Sequence, residues 1–134
     1  MTHLVVLYTR NLEEQTDMST LCRKLANVML TVTDEDAKQV FPTGGVRVLA
    51  YPATHFAVAD GQRDYAFVYL NLRMGRGRSD STKTKAGEML RGAVQEHFNS
   101  LLATRYIGVT FQIDEGQEVF DSKQSSIHQL FARN

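Results

Sequence analysis

Twice along this chain a run of strand-forming residues leads into a helical stripe and then into another strand run. Two neighbouring strands joined by a helix must lie parallel, because the crossover has to return the chain to the starting edge. Such a pattern predicts two β-α-β units, about residues 2–58 and 64–115, with a C-terminal tail. At 134 residues the chain is the size of one compact domain. It can bury roughly two-thirds of the surface its unfolded form exposes.

In the first half, His3 to Thr9 interleaves Val5 and Leu7 with Leu4, Val6 and Tyr8. Apolar residues on both faces predict a strand covered on both sides. Asp17 is a candidate helix cap, since its short carboxylate accepts from free amides of a first turn. Leu21, Leu25, Val28 and Val32 then follow helical spacing, and Cys22 beside them reads as a small core residue. The run Phe41-Pro42-Thr43-Gly44-Gly45 breaks the chain. Val46 to Val58 is strand-like, with Pro52 marking an edge or an interruption.

In the second half, Asp60-Gly61 predicts a turn. Tyr65 to Leu72 is the clearest strand, with Tyr65, Phe67 and Tyr69 on one face and Ala66, Val68 and Leu70 on the other. A long helix should start near Ser79 to Ser81. Met89/Leu90, Ala93/Val94, Phe98 and Leu101/Leu102 form its stripe. Ile107 to Ile113 returns as a strand, and Ser126 to Phe131 reads as a short helical turn.

Charge narrows the partners. Fifteen basic residues balance fifteen acidic ones, so no global field attracts nucleic acid or an anionic membrane. No apolar stretch has transmembrane length, and LVVLY is too short for a secretory signal core. A single cysteine excludes an internal disulfide and fits a reducing compartment, so a cytoplasmic location is expected.

Motifs of metal and nucleophilic chemistry are weak. His3, His55, His97 and His128 are far apart and lack zinc-site spacing, so no metal or other cofactor is expected. His97 reads as a helix-surface residue. There is no Gly-x-Ser-x-Gly elbow. For Cys22, an inert thiol is preferred to a Cys-His nucleophile pair.

Met74-Gly75-Arg76-Gly77-Arg78 is more informative. Two glycines leave backbone amides accessible just before a helix start, which favours negative charge. Arg78 at that junction has the fork geometry to hold a carboxylate, and Arg47 follows Gly44-Gly45 at another strand start. Two solvated arginines, or a small nucleic-acid patch at RMGRGR, are the competing readings. On this ground alone the chain is an α/β domain with a candidate anion site.

FPTGGVRV, VADGQRDYAFVYLNLRMGRGRS and KAGEMLRGAVQEHF add a sharper expectation. They resemble the 5-carboxymethyl-2-hydroxymuconate isomerase family, within the tautomerase superfamily. The matching motifs are Ala59-Asp60-Gly61, Asp64-Tyr65-Ala66-Phe67, Gly75-Arg76-Gly77-Arg78-Ser79 and Ala86-Gly87-Glu88-Met89-Leu90, in order and without a large gap. The resemblance implies an α/β (α+β) tautomerase-like fold: a four-stranded sheet with both helices on one face. It also implies a homotrimer with active sites near the subunit boundaries.

The reaction it implies is a proton shift in a small polycarboxylate enol from aromatic acid breakdown. In the family an amino-terminal proline, exposed by removal of the initiator, serves as the base, and arginines hold carboxylates and developing charge. The matching catalytic positions here are Thr2, Arg47 and Arg78, with His3 and Arg76 as candidate substrate-binding residues. Thr2 stands where the family has proline. It offers a primary amine once Met1 is removed, and an amide if Met1 stays. Two readings follow: an isomerase whose base is the Thr2 amine, or a homologue that binds a small carboxylate without moving a proton.

Overall fold

The computed structural model describes residues 2–131. Six regular elements follow one another: β1 (His3–Thr9), α1 (Met18–Thr31), β2 (Val48–Ala53), β3 (Tyr65–Met74), α2 (Asp80–Thr104) and β4 (Tyr106–Glu115). Short 3₁₀ turns occupy Arg10–Leu12, Thr43–Gly45 and His128–Phe131. The strands form one sheet in the order β2-β1-β3-β4. β1 and β2 are parallel, as are β3 and β4, and the central pair β1/β3 is antiparallel.

Both helices cover the same face of that sheet. Leu4, Val6, Val68, Leu70 and Leu72 point into the core and meet Leu21, Leu25 and Met29 of α1 and Leu90 and Phe98 of α2. A right-handed crossover in each half accounts for this, because the central antiparallel pair relates the halves by an approximate dyad perpendicular to the sheet. Such a rotation keeps both helices on one side.

The other face stays open. Leu7 is 44% exposed, Leu49 45% and Tyr51 49%. A first strand covered on both sides, expected from its two apolar faces, is therefore covered on one side within a single chain. The apolar residues of the second side have no helix to meet.

Local chemistry sets the element ends. Asp17 caps α1 by accepting from the Thr20 amide at 3.2 Å. Ser79 does the same for α2 through the Thr82 amide, also at 3.2 Å. The α1 stripe runs through Met18, Leu21, Leu25 and Met29; Val28 is only half-buried and Val32 is already the C-cap. β2 is shorter than the strand expected over residues 46–58. It is an edge strand with one neighbour, so Pro52, which has no amide hydrogen to donate, is tolerated there.

His97 is not the surface residue that its place in the sequence suggests. It is half-buried, its Nε2 lies 2.7 Å from the Thr16 hydroxyl, and its ring meets Phe98 edge-on. Burial, then the nearby Lys24 ammonium, lowers its pKa. Cys22 is half-buried at the rim of the core rather than inside it, and burial raises the pKa of its thiol.

Candidate active site

The sheet order brings three separated stretches to one place. β1 and β2 are parallel, so the entry to β2 lies beside the entry to β1; Leu4 N–H donates to the Arg47 carbonyl at 3.0 Å. β1 and β3 are antiparallel, with His3 opposite Arg73, so the exit from β3 also lies beside the entry to β1. Thr2, Arg47 and Arg78 consequently line one cavity of about 440 Å³. Thr2 is 3% exposed, and both arginines are half-buried.

Arg78 is held in place by the chain around it. Its Nη1 donates to the Gly75 carbonyl at 3.0 Å and its Nη2 to the Val40 carbonyl at 3.1 Å. Its guanidinium carbon lies 5.4 Å from the centre of the buried Phe41 ring. A guanidinium carries five N–H donors, so this arrangement orients the group while leaving donors for a ligand. The turn that delivers Arg78 uses Gly77 at φ +110°, a conformation that side-chain-bearing residues rarely adopt.

A carboxylate fastens the same junction from outside. Glu35 Oε1 accepts from the hydroxyls of Ser79, Ser81 and Thr82, the latter two at 2.7 Å. These hydrogen bonds lower its pKa to about 2. The loop carrying Glu35 leads directly to Val40, so the segments flanking Arg78 are tied to each other at both ends.

His3 and Arg76 lie elsewhere. His3 is half-buried in β1 with its side chain on the sheet face opposite Leu4. Arg76 is exposed, and its Nε donates to the Gly116 carbonyl at 3.0 Å. Neither lines the cavity within one chain.

The remaining wall comes from the tail. Lys123, Ser125, His128 and Gln129 line the cavity alongside Pro42, Gly44 and Gly45. Sequence reasoning did not place these residues at the site. A turn near Ser126 to Phe131 is legible from its apolar spacing, but where it docks is not. The usable signal was Gly44: a Cβ there would lie 2.5 Å from the His128 Cα, so only glycine admits the tail so closely.

A larger cleft of about 1110 Å³ opens beside α1, with Tyr8, Glu13, Asp17, Cys22 and Arg47 among its lining. Two of its acidic side chains are already engaged. The Tyr8 hydroxyl donates to Glu13, and burial together with that carboxylate pushes its pKa up to about 12. Asp17 is occupied as a helix cap. The smaller cavity is the better candidate because two guanidinium groups and the start of β1 converge there. Among the described residues no group of three or more His, Cys, Asp or Glu side chains is arranged to hold a metal.

Comparison with known proteins agrees with this architecture. Residues 2–131 match the family model described as 5-carboxymethyl-2-hydroxymuconate isomerase. The chain is 34% identical over 131 residues to the 5-carboxymethyl-2-hydroxymuconate Delta-isomerase of Escherichia coli, covering 98% of this chain and 99% of that one. A crystal structure of a 5-carboxymethyl-2-hydroxymuconate delta-isomerase superposes with a TM-score of 0.95 at 51% identity, over 100% of this chain and 95% of the other. A second, from Deinococcus radiodurans R1, gives 0.86 at 34% identity, over 98% and 95%. A fused 4-OT shares the fold at 17% identity, with a TM-score of 0.52 over 90% of this chain and 93% of that one. With a family model spanning nearly its whole length and full-length relatives at this identity, the chain belongs to the 5-carboxymethyl-2-hydroxymuconate isomerase family.

Proposed function

We propose that this isomerase moves a proton within a small polycarboxylate dienol of the 5-carboxymethyl-2-hydroxymuconate type, in the breakdown of aromatic acids. The amine of Thr2, freed by removal of Met1, is the base. Arg47 and Arg78 hold carboxylate and stabilise the charge that develops on oxygen. The observation that carries this reading is the shared cavity: Thr2, Arg47 and Arg78, 31 or more positions apart in sequence, line one space of about 440 Å³.

The chemistry is coherent. A free α-amine titrates at about 7.7 to 8.0. Two neighbouring guanidinium groups favour its neutral form and bring it towards a working pH near neutrality. It then takes the proton of the enol hydroxyl and returns one to a distant carbon of the conjugated chain, so charge and atoms balance without a cofactor. Arginine suits the anion because its fork matches a carboxylate in two parallel hydrogen bonds. If Met1 stays, its amine is displaced by about 3.8 Å, one Cα spacing, which costs on the order of a hundredfold in rate.

The protein is further proposed to act in the cytoplasm as a homotrimer. The fused 4-OT with the same fold is a symmetric trimer, and the open sheet face supplies apolar surface for neighbours. Among the described residues no helix is long and apolar enough to cross a membrane. A homologue that binds carboxylates without proton transfer has no observation in its favour.

The test is an ultraviolet assay of dienol isomerisation, paired with the intact mass of protein from its native source. The expected result is a chain lacking Met1 that is active near neutral pH. Thr2→Pro, processed in the same way, should be at least as active as the parent. A folded, processed Thr2→Pro protein without activity would remove the terminal amine from the mechanism.

A further inference from the structure

We propose that the C-terminal strap, residues 116–131, supplies the specificity wall of this cavity, with Lys123 binding a further carboxylate of the substrate and His128 seating the strap. The inference rests on the reading that the cavity takes a polycarboxylate, and it adds the residues that would distinguish a tricarboxylate from a dicarboxylate.

The strap is fixed at two places. At its root, Gly116 N–H donates to the Met74 carbonyl at 2.7 Å, and the Gly116 carbonyl accepts from Arg76 Nε at 3.0 Å. At its tip, the turn His128–Phe131 packs on the turn Thr43–Gly45. Gly44 is buried there, and a Cβ built on it would lie 2.5 Å from the His128 Cα and 3.0 Å from its Nδ1. The Ser125 hydroxyl accepts from the amides of Ile127 and His128, both at 3.1 Å, and so shapes the turn. Between root and tip the chain is exposed, with Val119 and Phe120 carrying almost no cover. Lys123 therefore reaches the cavity from a segment whose position depends on the Gly44 seat.

Lys123 Nζ lies 2.8 Å from Asp121 Oδ2. An ammonium has three donors, so this contact orients the group and leaves donors for a ligand. Arg47 and Arg78 can each take one carboxylate in bidentate fashion. A substrate with a third carboxylate needs a third cation, and Lys123 is the one the strap brings to the same cavity. A hydrogen bond to a charged group is worth about 1.5 to 3 kcal/mol, so its loss should weaken a tricarboxylate by about tenfold or more.

Binding of propane-1,2,3-tricarboxylate and of pentanedioate, measured by calorimetry on full-length protein, tests this without relying on turnover. The parent should prefer the tricarboxylate by about tenfold. Lys123→Ala should abolish the preference while leaving pentanedioate affinity within about twofold. Gly44→Ala should do the same by unseating the strap, with the thermal midpoint lowered by only a few degrees because the strap lies outside the core. His128→Gln should reduce the preference partially. Equal affinities in the parent, or an unchanged preference in Lys123→Ala, would overturn the proposal. Failure of the isomerase reading would show differently, as absent dienol turnover with these binding preferences intact.

Discussion

At the scale of single residues, Arg78 separates charge from geometry. Arg78→Lys keeps the cation but loses the fork, the contact with Phe41 and at least one bond to the carbonyls of Gly75 and Val40. Expected is a fall in kcat/KM of about a hundredfold or more, the size seen when one charge-stabilising donor is lost from an active site. Arg78→Ala should also weaken dicarboxylate binding, and unchanged binding in a calorimeter would remove Arg78 from the site. His97 gives a pH prediction. Its folded pKa lies below the ordinary 6.5, so the unfolded chain takes up the proton first. The stability linked to this group is complete above about pH 6.5 and is lost as pH falls through the lowered folded value. His97→Gln, which can still bond Thr16, should flatten that part of a denaturation-against-pH profile; an identical slope would show that His97 is not responsible.

At the scale of elements, the junction between β3 and α2 is where fold and chemistry meet. Gly77→Ala places a side chain at φ +110° and should cost about 1 to 3 kcal/mol in urea denaturation. Because the same turn aims Arg78, kcat/KM should fall as well; a destabilised protein with parental activity would show that the turn does not aim that arginine. Much of this level is legible in the sequence. His3–Thr9 follows from its run of strand-forming residues and the start of α1 from the Asp17 cap, which are local rules. The gathering of Thr2, Arg47 and Arg78 was expected through family motifs, not through spacing, and their chemical roles are the proposals made above. Strap residues escaped because docking against Gly44 is a contact over more than 80 positions, and no local period encodes it. β2 was overextended because a strand-like composition cannot say where the neighbour's pairing stops.

At the scale of the molecule, the sheet face without helices makes the strongest claim on assembly. Leu7 lies opposite Tyr51 and Val5 opposite Leu49 across β1 and β2, and Phe67 is exposed on β3. An apolar face of this kind rarely stays wet in a lone protein. A mass three times the 15.1 kDa of the chain is expected by light scattering. Leu49→Glu should shift the parent towards monomer, since a buried unpaired carboxylate opposes association. A parent that is monomeric at working concentrations would remove the trimer from the proposal.

The approximate dyad through β1 and β3 has one more effect. It places a counterpart of these strand starts at the far end of the sheet, where Asp64 precedes β3 as Thr2 precedes β1, and Arg105 precedes β4 as Arg47 precedes β2. There the guanidinium is already consumed, by Asp64 Oδ2 at 3.1 Å and by Gln15 Oε1 at 2.7 Å. A peptide-bonded aspartate thus engages the guanidinium of the twin position from within the chain, whereas Arg47 at the first position faces an open cavity.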